Sequence, residues 1–170
     1  MLLLTFQVGT HHLALEVGRI HEIVPYVRLQ PVACSPAWLA GVFIYRGKVV
    51  PVLDLHRLLG MGECPVHLST RIILVSHGFD QPLTLPSSPA EGAKGRGQER
   101  FVGLLAANVA AVREFPQSPP TPNRFAAAGR PDLGPVLVDG QEIIHLVELD
   151  RLLPELSDEK LTLLTKEPSA

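Results

Sequence analysis

Seven histidines and two cysteines are the residues of this 170-residue chain whose types could support metal or acid–base chemistry. Asp54 and His56 lie two apart, a spacing at which a carboxylate could orient an imidazole or share an ion with it. The same pair has a simpler use. Asp54 stands where an apolar strand gives way to 55–59, so it can cap a short helix and leave His56 on the outer face. His11-His12 follows Gly9-Thr10 in a polar hairpin connection, where solvated imidazoles are expected. Cys34 and Cys64 each lack a second cysteine nearby, whereas a zinc knuckle needs close pairs. Reduced thiols, and neither metal nor cofactor, are the expectation.

Other chemistry is poorly served. The chain has no G-x-S-x-G elbow, no H-E-x-x-H pair and no dinucleotide fingerprint. Gly92-Ala93-Lys94-Gly95-Arg96-Gly97 lacks the GK[ST] ending of a phosphate loop and opens no helix, so it reads as linker. The prolines of 116–122 make a stiff extended connection. A net charge of −2 supplies no basic surplus for a nucleic-acid backbone or an anionic membrane. Catalysis is therefore not expected, and a binding surface is. Its best candidate is Arg46 in the turn Tyr45-Arg46-Gly47, because a guanidinium beside an aromatic ring offers several donors in fixed geometry.

The elements that must position these residues are short. With 46% apolar residues the chain can bury a core, while sixteen prolines and fourteen glycines interrupt long helices. The start, Met1-Leu2-Leu3-Leu4-Thr5-Phe6, has no basic region and too short an apolar run for a leader or a span, so it predicts a first strand. Alternation predicts strands over 2–8, 13–17, 20–25, 42–45, 49–53, 71–76, 101–106, 135–138 and 142–147. Residues 35–41 read as one helical turn ended by Gly41, and 157 onward as a C-terminal helix capped by Ser157. The Pro- and Gly-punctuated stretch 78–100 reads as a flexible insertion.

Two segments resemble each other. Over 49–59 and 143–153, separated by 143 − 49 = 94 residues, four positions are identical: Leu55/Leu149, Arg57/Arg151, Leu58/Leu152 and Leu59/Leu153. Gly41 and Gly47 frame five residues, as do Gly134 and Gly140. Leu13, Leu15, Val17, Ile20 and Ile23 match Val102, Leu104, Ala106, Val109 and Val112 at an offset of 102 − 13 = 89. Units this small cannot bury both faces of their strands alone, so an all-β protein of two packed lobes is predicted. In this alignment Asp139 and His145 replace Arg46 and Pro51.

The run Gly41-Val42-Phe43-Ile44-Tyr45-Arg46-Gly47-Lys48-Val49-Val50-Pro51-Val52-Leu53-Asp54-Leu55 resembles the signature of CheW-type chemotaxis coupling proteins. Val17, Ile20, Glu22 and Ile23, then Phe101-Val102-Gly103-Leu104-Leu105, extend the likeness from about Leu2 to Leu153. It implies two five-stranded, SH3-like barrels related by duplication. It also implies a non-catalytic cytoplasmic adaptor at membrane-associated receptor arrays, joining methyl-accepting chemoreceptor tips to a CheA-type histidine kinase. By position, Ile20, Glu22, Gly41, Tyr45, Arg46 and Gly47 match receptor-facing elements, and Gly103, Leu104 and Leu105 match kinase-facing ones. Departures are Ile44 where the family has Asn and Ala106-Ala107 where it has Val-Asp, which point to an output other than flagellar chemotaxis. One CheW-like domain over 1–156 is expected, with lobes near 1–77 and 101–156, strands open to exchange between them, and a tail over 157–170. The competing reading is a regulatory domain of a CheA-type kinase; a chain of this length starting at Met1 favours the free adaptor.

Overall fold

Strands whose two faces are both buried carry continuous apolar runs, and this fold is built around such strands. The computed structural model describes residues 1–77, 100–116, 121–122 and 132–155. The strands are β1 (Leu2–Val8), β2 (His11–Glu16), β3 (Ile20–Pro25), β4 (Leu39–Tyr45), β5 (Lys48–Asp54), β6 (Arg71–His77), β7 (Arg100–Ala106), β8 (Val112–Glu114), β9 (Val136–Asp139) and β10 (Glu142–Leu146). Helix α1 (Leu55–Leu58) follows β5, and α2 (Leu149–Glu155) follows β10.

Two five-stranded sheets result, in the orders β3-β6-β7-β5-β4 and β8-β1-β2-β10-β9. They share one topology. In each, a single parallel pair, β5·β7 or β2·β10, interrupts antiparallel pairing. Val52 lies beside Gly103 as Leu146 lies beside Ala14, and 146 − 52 = 94 while 103 − 14 = 89. Ile23 pairs with Ile73 as Val112 pairs with Leu4, and 112 − 23 = 89 again. Both offsets read from the sequence are thus the offsets of the structure, and the duplication is real.

The sheets do not follow the order of the halves. One is built from β3 to β7, whereas the other joins β8, β9 and β10 to the N-terminal hairpin β1–β2. A parallel neighbour cannot be reached through a two-residue turn, so each unit receives its middle hairpin from the other half of the chain.

Residue parity explains the apolar runs. Leu4, Phe6, Val8, Leu13 and Leu15 of one sheet meet Leu53, Ile73, Val75, Val102, Leu104 and Ala106 of the other in a central core closed by Leu55, Leu149 and Leu152. The intervening residues turn into the barrels. Val50, Val52, Ile72, Leu74 and Leu105 fill one, and Leu3, Ala14, Phe115, Leu137 and Ile144 the other.

Several sequence expectations change. Residues 35–41 form no helix: after one turn bond from Leu39 N to Pro36 O, the chain enters β4. Gln30 and Val42 then exchange backbone bonds of 2.8 and 2.9 Å, covering the outer edge of β4. Thr121 and Val136 do the same for β9. His11 and His12 belong to β2 rather than to the turn, because Val8 pairs with His11 across Gly9-Thr10. Arg100 opens β7, while 78–99 of the expected insertion and 157–170 of the expected tail lie outside the described residues.

Gly41 shows how little room the edge leaves. Its φ is 149°, and a Cβ there would lie 2.6 Å from Gln30 O. Gly41→Ala is expected to destabilise the chain by about 1–3 kcal/mol through overpacking against backbone. Gly18, where a Cβ meets nothing within 4 Å, should tolerate alanine within about 0.5 kcal/mol. Urea unfolding of both variants checks the contrast.

Candidate functional site

The β4–β5 hairpin turns through two residues. Tyr45 pairs with Lys48, and both central residues have positive φ, 48° at Arg46 and 75° at Gly47. That is the type I′ pattern, which matches strand twist and favours glycine at the second position. A non-glycine residue in this region is uncommon, and Arg46 is held there by its surroundings. Its Nη2 lies 3.4 Å from Glu22 Oε2, and its guanidinium carbon sits 5.0 Å from the Tyr45 ring centroid. The Tyr45 hydroxyl donates to the same Glu22 oxygen.

Glu22 is on β3, at the opposite edge of the sheet from β4. The contact therefore links the two edges and draws the sheet into a barrel. Below it lies an aromatic group: Phe101 against His21 at 4.4 Å and against Tyr45 at 5.8 Å, with Phe43 6.4 Å from Tyr45. Lys48 Nζ stands 5.8 Å from the Phe101 ring. The hydrogen bond to Glu22 is the main reason the Tyr45 hydroxyl titrates above its usual range; burial adds to it and the Arg46 charge opposes it. The Arg46 side chain stays 69% exposed, and exposed pairs contribute little stability. Glu22 and Tyr45 thus orient the guanidinium while leaving it available.

Of the residues singled out from sequence, Glu22, Tyr45, Arg46 and Gly47 converge here. Ile20 packs half-buried against the central core, and Gly41 is buried in β4, where it permits the Gln30 contact. Gly103 allows Ile72 and Val52 to close over β7, since a Cβ there would lie 2.7 Å from Ile72 Cγ2. Leu104 and Leu105 are 0% and 4% exposed. Their side chains fill the two cores. His21, Phe43, Lys48 and Phe101 were missed, although Phe43 and Tyr45 share one face of β4 by simple alternation. Ile44, 71% exposed on the other face, supplies an apolar contact beside Arg46.

The second lobe carries the same barrel closure with its charges reversed. Arg113 of β8 bonds Asp139 Oδ2 at 2.8 Å and approaches Glu142 Oε2 at 3.9 Å. Asp139 pairs with Glu142 as Tyr45 pairs with Lys48. The counterpart of Arg46 is therefore Gly140, and Asp139 takes the place of Tyr45, a correction to the alignment above.

Asp54 caps α1 as expected, with Oδ1 accepting from His56 N at 2.8 Å and Arg57 N at 3.3 Å. His56, expected on the outer face, is instead 4% exposed. The Gly9-Thr10 turn of the other sheet covers it, and Gly9 N donates to His56 Nε2 at 3.1 Å. Cys64 joins the group, its N donating to Asp54 Oδ2 at 3.0 Å and its thiol pushed up to about 12, mainly by burial. Candidate ligand atoms of Asp54, His56 and Cys64 lie within 4.8 Å of one another. They make a poor metal centre. Both carboxylate oxygens are already engaged, and accepting at Nε2 leaves the ring proton of neutral His56 on Nδ1, where an ion would have to bind. The cluster is a joint between the lobes.

The chain matches the model of the CheW-like domain over residues 2–157. It is 30% identical over 151 residues to protein FrzA of Myxococcus xanthus, covering 87% of this chain and 82% of FrzA. It is 23% identical over 155 residues to chemotaxis protein CheW of Thermotoga maritima, covering 91% and 88%. The crystal structure of scaffolding protein TtCheW from Thermoanaerobacter tengcongensis superposes with a TM-score of 0.69 at 19% identity, covering 87% of this chain and 84% of that one. That likeness agrees with the two-lobed, SH3-like fold.

Burial, only partly opposed by the nearby Asp54 charge, lowers the His56 pKa below its ordinary 6.5. The unfolded chain then binds more protons than the folded one as pH falls below about 6.5. Stability should be level above that value and decline from it toward the depressed folded pKa. His56→Gln keeps an acceptor for Gly9 N but cannot be protonated, so its urea midpoint should fall less between pH 7.5 and 5.5 than that of the parent. Parallel slopes would show that His56 does not carry the effect.

Proposed function

The chain belongs to the CheW-like domain family, matched over 2–157, and from that premise we propose that it couples the cytoplasmic tip of a methyl-accepting chemoreceptor to a CheA-type histidine kinase. It is a scaffold adaptor without catalysis. The observation that carries the proposal is the hairpin tip, where Arg46 is oriented by Glu22 and Tyr45 yet exposed beside apolar Ile44. A guanidinium held in this way recognises a carboxylate or backbone carbonyl of a partner with less ordering cost than a free side chain. Gly47 contributes by fixing the backbone of that tip, Gly41 by admitting Gln30 along the edge of β4, and Ile20 by anchoring the start of β3.

The kinase is the second partner in this reading. Gly103, Leu104 and Leu105 serve it as the buried frame of the strand rather than as contacts. None of the described helices is long and apolar enough to cross a membrane. The protein then acts in the cytoplasm, at receptor arrays in the membrane. An output other than flagellar motility belongs to the same proposal and rests on Ile44 and on Ala106-Ala107.

Surface plasmon resonance with the receptor cytoplasmic fragment tests it. Arg46→Ala should weaken binding by an amount equivalent to about 1.5–3 kcal/mol, the usual loss for a charged hydrogen bond. Its urea stability should stay within about 0.5 kcal/mol of the parent, because the side chain is exposed. Unchanged receptor affinity in this variant would remove Arg46 from the docking surface.

A further inference from the structure

A cleft at the end of the β2·β10 pair is lined by three imidazoles and a carboxylate, from His11, His12, His145 and Glu142, together with Thr10 and Gln141. The β2·β10 ladder is parallel, with Ile144 beside His12 and His145 beside Leu13. Side chains alternate along each strand, so His11 and His145 emerge on the same face as Leu13. Their rings stand edge to face, with centroids 5.8 Å apart. His145 Nδ1 is buried and has no hydrogen-bond partner. None of this is used by the docking site at Arg46, which lies on the other sheet.

We propose that His11 and His145 chelate one divalent transition-metal ion of the zinc class in this cleft. Imidazole nitrogen is a preferred donor for such ions, at about 2.0–2.1 Å, and two imidazoles on one tetrahedral ion hold their centroids roughly 5 Å apart. The observed separation needs a shift of less than about 1 Å, within reach of a rotation of His11, which is half-buried at the rim. By the same alternation His12 and Glu142 project from the opposite face, so water completes the set.

The titratable groups bordering the pair are His12 and Glu142, which project from the opposite face of the ladder, Glu142 toward Arg113. The ion would bridge β2 to β10, where the exchanged N-terminal hairpin is held by only three paired positions. Metal binding would therefore fasten the junction between the N-terminal hairpin and β10.

Isothermal titration of the untagged chain with zinc chloride at pH 7.5, paired with thermal unfolding, tests the site. The expected result is one equivalent bound with a Kd of about 1–10 μM and a raised Tm. His11→Ala and His145→Ala should each weaken binding at least tenfold and abolish the Tm shift, and lowering the pH to 5.5 should release the ion. His11→Ala alters a rim residue and decides the matter if His145→Ala fails to fold. No saturable binding, or binding unaffected by His11→Ala, overturns the proposal. Loss of binding in Cys64→Ser with retention in His11→Ala also overturns it, by placing the ion at the buried Asp54 cluster.

Discussion

The central core between the two sheets is the constraint on which everything else depends. Each sheet has one face turned into its own small barrel and another that would be bare if it stood alone. Leu4, Phe6, Leu13 and Leu15 on one side and Ile73, Val75, Val102 and Leu104 on the other cover each other. A barrel of five short strands has a small interior and is only marginally stable by itself. The exchange of hairpins follows naturally, since β1–β2 and β6–β7 are buried on both faces and lie inside their sheets. Joining the lobes through their most apolar strands makes the shared core continuous.

Within this frame the polar groups divide by burial. The Asp54 cluster is a closed joint in which a strand end, the short helix and the loop to Cys64 are bonded to one carboxylate. His56 adds the link to the other sheet through Gly9. Such a cluster is costly to disturb, because an unpaired buried polar group loses its full desolvation cost. The Glu22–Tyr45–Arg46 group has the opposite character. It is exposed, so its electrostatic contribution to folding is small, and its value lies in the geometry it imposes on one guanidinium.

The duplication makes that difference informative. Both lobes close their barrels with an ion pair between an edge strand and the opposite hairpin, but one puts the cation on the hairpin and the other puts acids there. A common scaffold thus offers two tips of opposite sign. Side-chain exchange on a fixed backbone provides this inequality without altering either core.

Much of this was legible in the chain itself. The offsets of 94 and 89 residues reappear as strand register because a repeated apolar pattern must find the same place in a repeated sheet. Asp54 announced the helix cap, and Arg46-Gly47 announced the turn, because both depend on local backbone chemistry. What only the tertiary structure decided involves groups far apart in sequence. Alternation gives a strand its two faces but does not say what covers them, so Leu104 and Leu105 could be mistaken for surface and His56 for a solvated side chain. Which hairpin enters which barrel, how Glu22 reaches Arg46 and why His11 meets His145 were all set by parallel pairing across most of the chain. Local sequence fixes conformation over a few residues; contacts between distant strands are selected by burial of the whole core.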